Sequence, residues 1–300
     1  MTDSWTFFSV TVGAVRRVSP SFIRVTFVGS DLATFADNGY DTRIKLALPV
    51  PGHGYATLPS GPDWYAEWRA LPADLRNPIR TYTAAAARPS ACELDVDMVV
   101  HDDGGPASRW VASAAPGDPL VLLGPDARYD GDHGGREFRP PAEVRRLLVA
   151  GDETAVPAVT GIVSRLPSTA RGEVVLEVPD AADALPLSTP DGVRVTWVAR
   201  DGVAPYGALL VPAVQRAAAS LLAEAAPPAV GPVDLEPVDN DEELLWEVPE
   251  QVTAGDCYAW LAGEAGAITT LRRHLVKDLG WDRKAVAFMG YWRVGRAESS

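Results

Sequence analysis

This chain of 300 residues is short of cysteine, of histidine and of net positive charge, and each shortage excludes a class of function. Its two cysteines, Cys92 and Cys257, lie far apart and show no metal spacing, which points to reduced thiols rather than a disulfide scaffold. The four histidines, His53, His101, His133 and His274, are scattered, and none has a partner at ligand spacing, so no protein-held metal is expected. No G-x-S-x-G occurs, nor a Cys/His nucleophile pair with local context. A net charge of −13 argues against a nucleic-acid partner, because neutralising phosphate needs a basic surface. Met1-Thr2-Asp3-Ser4 has no basic start, and no apolar run is long enough to span a bilayer. The expectation is a cytoplasmic monomer without a signal peptide or stable membrane association.

What is present describes an ordinary globular chain, 47% hydrophobic and 22% charged, whose length favours two domains. Residues 1–140 hold 13 bases against 17 acids, net −4, and residues 141–300 hold 14 against 23, net −9. Any basic patch in the first half is therefore the more informative. That half alternates with period 2 over Phe8–Val12, Phe22–Val28, Arg43–Pro49, Arg80–Ala85 and Leu94–Val100, with a further strand across Gly117–Pro125. Arg16–Ser21 carries turn chemistry, and Pro51–Asn77 reads as an insertion or short helix. Six strands and a helix over Pro106–Ala114 predict an antiparallel Greek-key β-barrel for residues 1–140.

The pattern then changes. Arg145–Gly151 is a continuous apolar run, as in a strand buried on both faces, and strand–helix alternation follows it. Strands are predicted over Gly172–Val178, Val193–Val198, Tyr258–Gly263 and Ala285–Val294, with helices over Tyr206–Ala225 and Glu264–Leu279. This predicts an α/β domain at 141–300 built on a doubly wound parallel sheet. Ala226–Glu250, rich in proline and acid and without one base, interrupts the alternation and reads as a solvated excursion.

The chemistry concentrates in Pro78–Trp110. Arg80 and Tyr82 alternate with Thr81 and Thr83, so on a strand the cation and the ring share a face, about 7 Å apart. A guanidinium fork grips phosphate and a phenol ring stacks, which suits a ligand with an anionic linker and a flat ring. Gly104-Gly105-Pro106-Ala107-Ser108 opens a helix whose free N–H groups make an anion site. Each feature has a bland reading, as strand or cap; together they favour a flavin dinucleotide. Gly151-Asp152-Glu153-Thr154, where a buried strand enters a helix, is the place for a second nucleotide, although it is not G-x-G-x-x-G and a structural turn is an equal reading. Gly263-Glu264 is a second strand end meeting a helix start. Arg200, past Val198, reaches a ribose 2′-phosphate or else is a surface arginine.

R-T-Y-T, D-M-V-V-H, G-P-A-S-R-W, G-D-E-T-A-V-P-A, W-L-A-G-E-A and G-Y-W-R-V-G, in that order, resemble the siderophore-interacting proteins, FAD-dependent ferric-siderophore reductases related to ferredoxin reductases. The resemblance implies that Arg80 clamps the FAD pyrophosphate, Tyr82 stacks on the isoalloxazine and Thr83 bonds the ring. Ala107 and Ser108 would offer donors to phosphate, and Gly151–Thr154 with Gly263 and Glu264 would line the nicotinamide side. It extends the cofactor set to Thr81, Asp97, Val99, His101, Pro106, Ala155 and Trp292, with His101 equally readable as structural. It implies electrons from NADPH or NADH passing through FAD to a ferric siderophore. Ferredoxin reductases carry more glycine than G-D-E-T here, which implies modest nucleotide affinity.

An anionic ferric chelate needs a local basic patch on so acidic a chain. By resemblance Lys45 faces the substrate, with Arg43 on the same strand face, Arg293 and Arg128 as further candidates; Arg43 and Lys45 also read as charges that keep a barrel edge soluble. Two rivals remain at this stage. One is a reductase that serves a protein acceptor, and the other is a siderophore carrier that binds no flavin.

Overall fold

Alternation of apolar and polar residues builds the first half. In β1 (Trp5–Arg17), Phe8, Val10 and Val12 are buried while Ser9, Thr11 and Gly13 turn outward. Strand β2 (Phe22–Val28) buries Val25 and Phe27 in the same way. The computed structural model describes residues 3–100, 105–223, 244–249 and 256–296, which fall into two units, Met1–Arg136 and Glu137–Arg296.

Unit 1 continues with β3 (Arg43–Ala47), α1 (Trp64–Ala70), β4 (Ile79–Thr83), β5 (Ala86–Arg88), β6 (Glu93–Val99), α2 (Pro106–Ser113) and β7 (Pro119–Pro125). The strands make one antiparallel sheet in the order β4-β3-β7-β1-β2-β6-β5. Strands β4 and β6 approach one another, so the sheet curls around Phe27, Leu46, Leu94, Met98 and Leu122. Arg16 and Arg17, expected in the first turn, pair with Arg24 and Ile23 and prolong β1. Strand β5 is only three residues long, too short to leave a period. The Pro51–Asn77 insertion holds α1 and is pinned from beneath. Asn77, fully buried, donates to the Leu48 and Gly54 carbonyls at 2.8 and 2.9 Å, and Trp68 donates to the Asn77 carbonyl at 2.9 Å.

Unit 2 comprises β8 (Arg146–Gly151), α3 (Val156–Val163), β9 (Gly172–Val178), β10 (Val193–Ala199), α4 (Leu210–Ala223), β11 (Trp246–Glu247), β12 (Cys257–Glu264), α5 (Ala265–Arg273) and β13 (Val286–Trp292). Its sheet runs β10-β9-β8-β12-β13-β11, parallel except for the β11 edge. From β8 the chain winds outward through β9 and β10, then returns to add β12 and β13 on the other side. The winding reverses between β8 and β12, and in such sheets ligands gather outside the carboxyl ends of the strands at that reversal. Both strands are buried on both faces, which is why their sequences read as unbroken apolar runs. Helix α5 buries Ile268 and Leu271 and passes into a π turn over His274–Asp278.

The acidic excursion needs correction where it is described; residues 224–243 and 250–255 lie outside the described residues. Leu245 is buried, Trp246–Glu247 pairs antiparallel with β13, and Glu247 receives Arg272 at 2.7 Å and Arg283 at 3.0 Å. Arg272 is only 4% exposed, and a buried guanidinium needs a carboxylate, so this end of the segment packs rather than floats. Among the described residues no helix is long and apolar enough to cross a membrane.

Candidate functional site

In unit 1 the candidate residues cluster on β4, an edge strand. Its register places Tyr82 opposite Ile44 and Arg80 opposite Leu46, and directly opposed residues share a face. Arg80 and Tyr82 thus lie together on the side of the buried Ile44 and Leu46, with the Tyr82 ring against the barrel core. Thr81 and Thr83 take the other face. The Ala84 amide donates to the Thr42 carbonyl and the Leu48 amide to the Pro78 carbonyl. Following that alternation, the main-chain groups of Thr81 and Thr83 point away from β3, off the sheet edge. Thr83 itself is buried.

Helix α2 begins at Pro106 after Gly105, a cap residue with no side chain, and no acid lies in its first turn. Its start belongs to Ala107, packed on the barrel core, and to buried Ser108. A helix start with proline at its first position fits an anionic phosphate. Together with Arg80 and Tyr82, the residues of unit 1 fit FAD. Two of the expected cofactor residues have other employment. Asp97 takes both ends of the Arg24 guanidinium at 2.7 Å across the β2–β6 pair, and Val99 is buried opposite Phe22. His101 lies outside the described residues.

Lys45 sits opposite Thr81, its ammonium 3.4 Å from the Thr81 hydroxyl, and Arg43 sits opposite Thr83. These cations therefore occupy the face of the β3–β4 pair away from Arg80 and Tyr82. Arg128 pairs close by in sequence: its guanidinium forks onto buried Asp126 at 2.6 to 3.1 Å, and that bond holds the Asp126 carboxyl below its usual range. Arg293, half-buried in unit 2, follows β13.

In unit 2 the expected residues converge on Asp152, which sits where the winding of the sheet reverses. It is 2% exposed, and four donors surround its carboxylate. The Thr154 amide and hydroxyl reach Oδ1 at 2.9 and 2.5 Å; the Glu264 amide and the Trp292 indole reach Oδ2 at 2.7 and 2.8 Å. One side chain thus ties together the ends of β8, β12 and β13. Burial and the neighbouring Glu153 push its carboxyl up to about 7, against the pull of Thr154 and Trp292. Gly263 adopts φ +148°, and a Cβ there would stand 2.7 Å from Asp152 Oδ2. Ala155 lies fully buried behind this turn.

Arg200 is the clearest correction. It is 7% exposed, and its Nη atoms donate to Glu153 at 2.8 and 2.8 Å and to Glu177 at 3.1 Å. The Tyr206 ring covers its face at 4.2 Å and meets Trp292 edge-on at 4.6 Å. Burial of Glu153 and Glu177, both fully enclosed, demanded a cation, and Arg200 supplies it. It is not a surface arginine. Sequence reasoning missed Glu177 and Tyr206. The one signal for Glu177 was an acid at the end of an otherwise apolar strand, V-V-L-E-V; Tyr206 left none.

Comparison with known proteins covers both units. A family model described as siderophore-interacting FAD-binding domain matches residues 11–129, and one described as siderophore-interacting protein matches residues 144–295. An uncharacterized protein of Mycobacterium tuberculosis is 33% identical over 96% of this chain and 90% of its own length. The ferric vibriobactin reductase ViuB of Vibrio cholerae is 29% identical over 95% of this chain and 89% of its own. The crystal structure of a siderophore utilization protein from T. fusca aligns with TM-score 0.73 at 30% identity, covering 100% of this chain and 97% of that one. Ferredoxin reductases of known structure share the fold, with TM-scores of 0.60 and 0.54 at 15% and 14% identity.

Proposed function

The chain belongs to the siderophore-interacting protein family, and from that premise we propose that it is a flavin-dependent reductase of ferric siderophores, acting in the cytoplasm. When bound, FAD would supply electron transfer from a nicotinamide dinucleotide, NADPH or NADH, to the Fe(III) of the siderophore. Iron then leaves because Fe(II), with less charge, is held less strongly by anionic oxygens.

The roles of the chain's own residues follow from their placement. Arg80 would grip the FAD pyrophosphate in a fork while the amides of Ala107 and Ser108, at the start of α2, meet its other oxygens. Tyr82 would lie flat on the ring system from the same strand face, and the outward main chain of Thr81 and Thr83 would bond the ring edge. In unit 2, Asp152 would hold the ends of β8, β12 and β13 in register, so that Gly151 and Gly263 present bare backbone to the dinucleotide. Lys45, Arg43 and Arg293 would attract an anionic ferric chelate that the net charge otherwise repels.

The observation that carries the reading is Arg80 and Tyr82 sharing one face of an edge strand, in a chain similar over 95% of its length to a ferric vibriobactin reductase. The test is an absorption spectrum of the purified protein, then anaerobic reduction and addition of a ferric siderophore with a chromogenic Fe(II) trap and no other protein. Bound flavin and trapped Fe(II) are expected. A colourless protein, or reduced flavin that leaves Fe(III) untouched, would overturn the proposal.

A further inference from the structure

A doubly wound sheet offers a dinucleotide two kinds of phosphate contact: the amides at helix starts, and an arginine beside the ribose. In unit 2 the chain's own carboxylates occupy the arginine and some of the helix-start amides. Asp152 takes the Thr154 amide ahead of α3, and Glu264 takes the Ala267 amide of α5 at 2.9 Å. Glu177 takes the amides of Gly207, Leu209 and Leu210 at the start of α4, at 2.8 to 3.2 Å. The arginine is equally committed, between Glu153 and Glu177 and beneath Tyr206.

Charge points the same way. Two buried carboxylates surround one buried guanidinium, so the group is negative as a whole, and Asp152 stands beside Glu153. Asp180 and Asp201, following β9 and β10, add further negative charge at the same strand ends. A ribose 2′-phosphate arriving there would meet like charge.

Resting on the reading that a nicotinamide dinucleotide is the electron donor, we propose that Glu153, by holding Arg200, makes unit 2 reject a 2′-phosphate, so that the donor it accepts is NADH. Glu153 is a specificity-determining residue that acts through Arg200. Tyr206 completes the arrangement by covering the guanidinium.

The test is calorimetric titration of the oxidised, flavin-loaded protein with NAD⁺ and with NADP⁺ at one ionic strength. NADP⁺ should bind at least about tenfold more weakly, a discrimination built from repulsion rather than from a new contact. In Glu153→Gln, Arg200 loses one opposing charge and the ratio of the two dissociation constants should fall by about tenfold. Tyr206→Ala, on a residue 40% exposed, uncovers Arg200 without touching the core and should narrow the ratio in the same direction. Equal or tighter binding of NADP⁺ by the natural chain overturns the proposal. So does a folded, flavin-loaded Glu153→Gln with an unchanged ratio, or binding of neither nucleotide. Fe(II) release after reduction of the flavin by dithionite tests the ferric-reductase reading separately.

Discussion

Replacing Gly263 by alanine should loosen the end of β12 far more than a single methyl group suggests. At φ +148° an L-residue is strained, at about 1–3 kcal/mol. The new Cβ would also lie 2.7 Å from Asp152 Oδ2 and 2.8 Å from its carboxyl carbon, so the carboxylate must move. Moving it strips the Glu264 amide and the Trp292 indole of their acceptor, and each buried donor left without one costs about 1–3 kcal/mol. The total is about 3–9 kcal/mol. Native-state hydrogen exchange of the Cys257–Glu264 segment reads this opening locally, without assuming that both units unfold together. Protection there should fall by roughly a hundredfold or more. The decisive comparison is a double-mutant cycle with Asp152→Ala, which removes the atoms that the Cβ would strike. In that background Gly263→Ala should cost only its backbone share, leaving a coupling of about 2–6 kcal/mol. Additive effects would show that Gly263 and Asp152 do not constrain one another, and the account of the β8–β12 junction would be wrong.

Arg80→Ala should lose most of its flavin, because a charged hydrogen bond of this type contributes about 1.5–3 kcal/mol; unchanged flavin absorbance per protein would reduce R-T-Y-T to an ordinary strand. Lys45→Ala should raise KM for an anionic ferric siderophore and flatten its dependence on salt, and wild-type values of both would mean that the substrate docks elsewhere. The folded-state carboxyl of Asp126 lies below its unfolded value, so it stabilises unit 1 above about pH 3.9 and that contribution is lost as pH falls. Arg128→Ala removes the cause and should move the acid-unfolding midpoint of unit 1 to higher pH; an unmoved midpoint refutes the Asp126–Arg128 link.

Much of this architecture was legible before any coordinates. Period 2 marks a strand with one wet face, as in β1 and β3, and an unbroken apolar run marks a strand covered on both, as in β8 and β12. Those patterns are local, and burial acts on each residue through its immediate neighbours, so the antiparallel barrel and the parallel sheet could be read in order. The pairing of Arg80 with Tyr82 was legible for the same reason: one strand's pleat settles it. Pairing across long separations was not. Arg200 and Glu153 are 47 residues apart, and Asp152 and Trp292 are 140 apart. No spacing rule connects them. Arg200 therefore read as a phosphate ligand from its place after a strand, whereas the fold encloses it with Glu153 and Glu177, two carboxylates that could not be buried without a cation. The sequence by itself determined the longer elements, their order and the strand that presents Arg80 and Tyr82. Only the tertiary structure decided which charges neutralise one another, because that depends on which strand ends the sheet brings together.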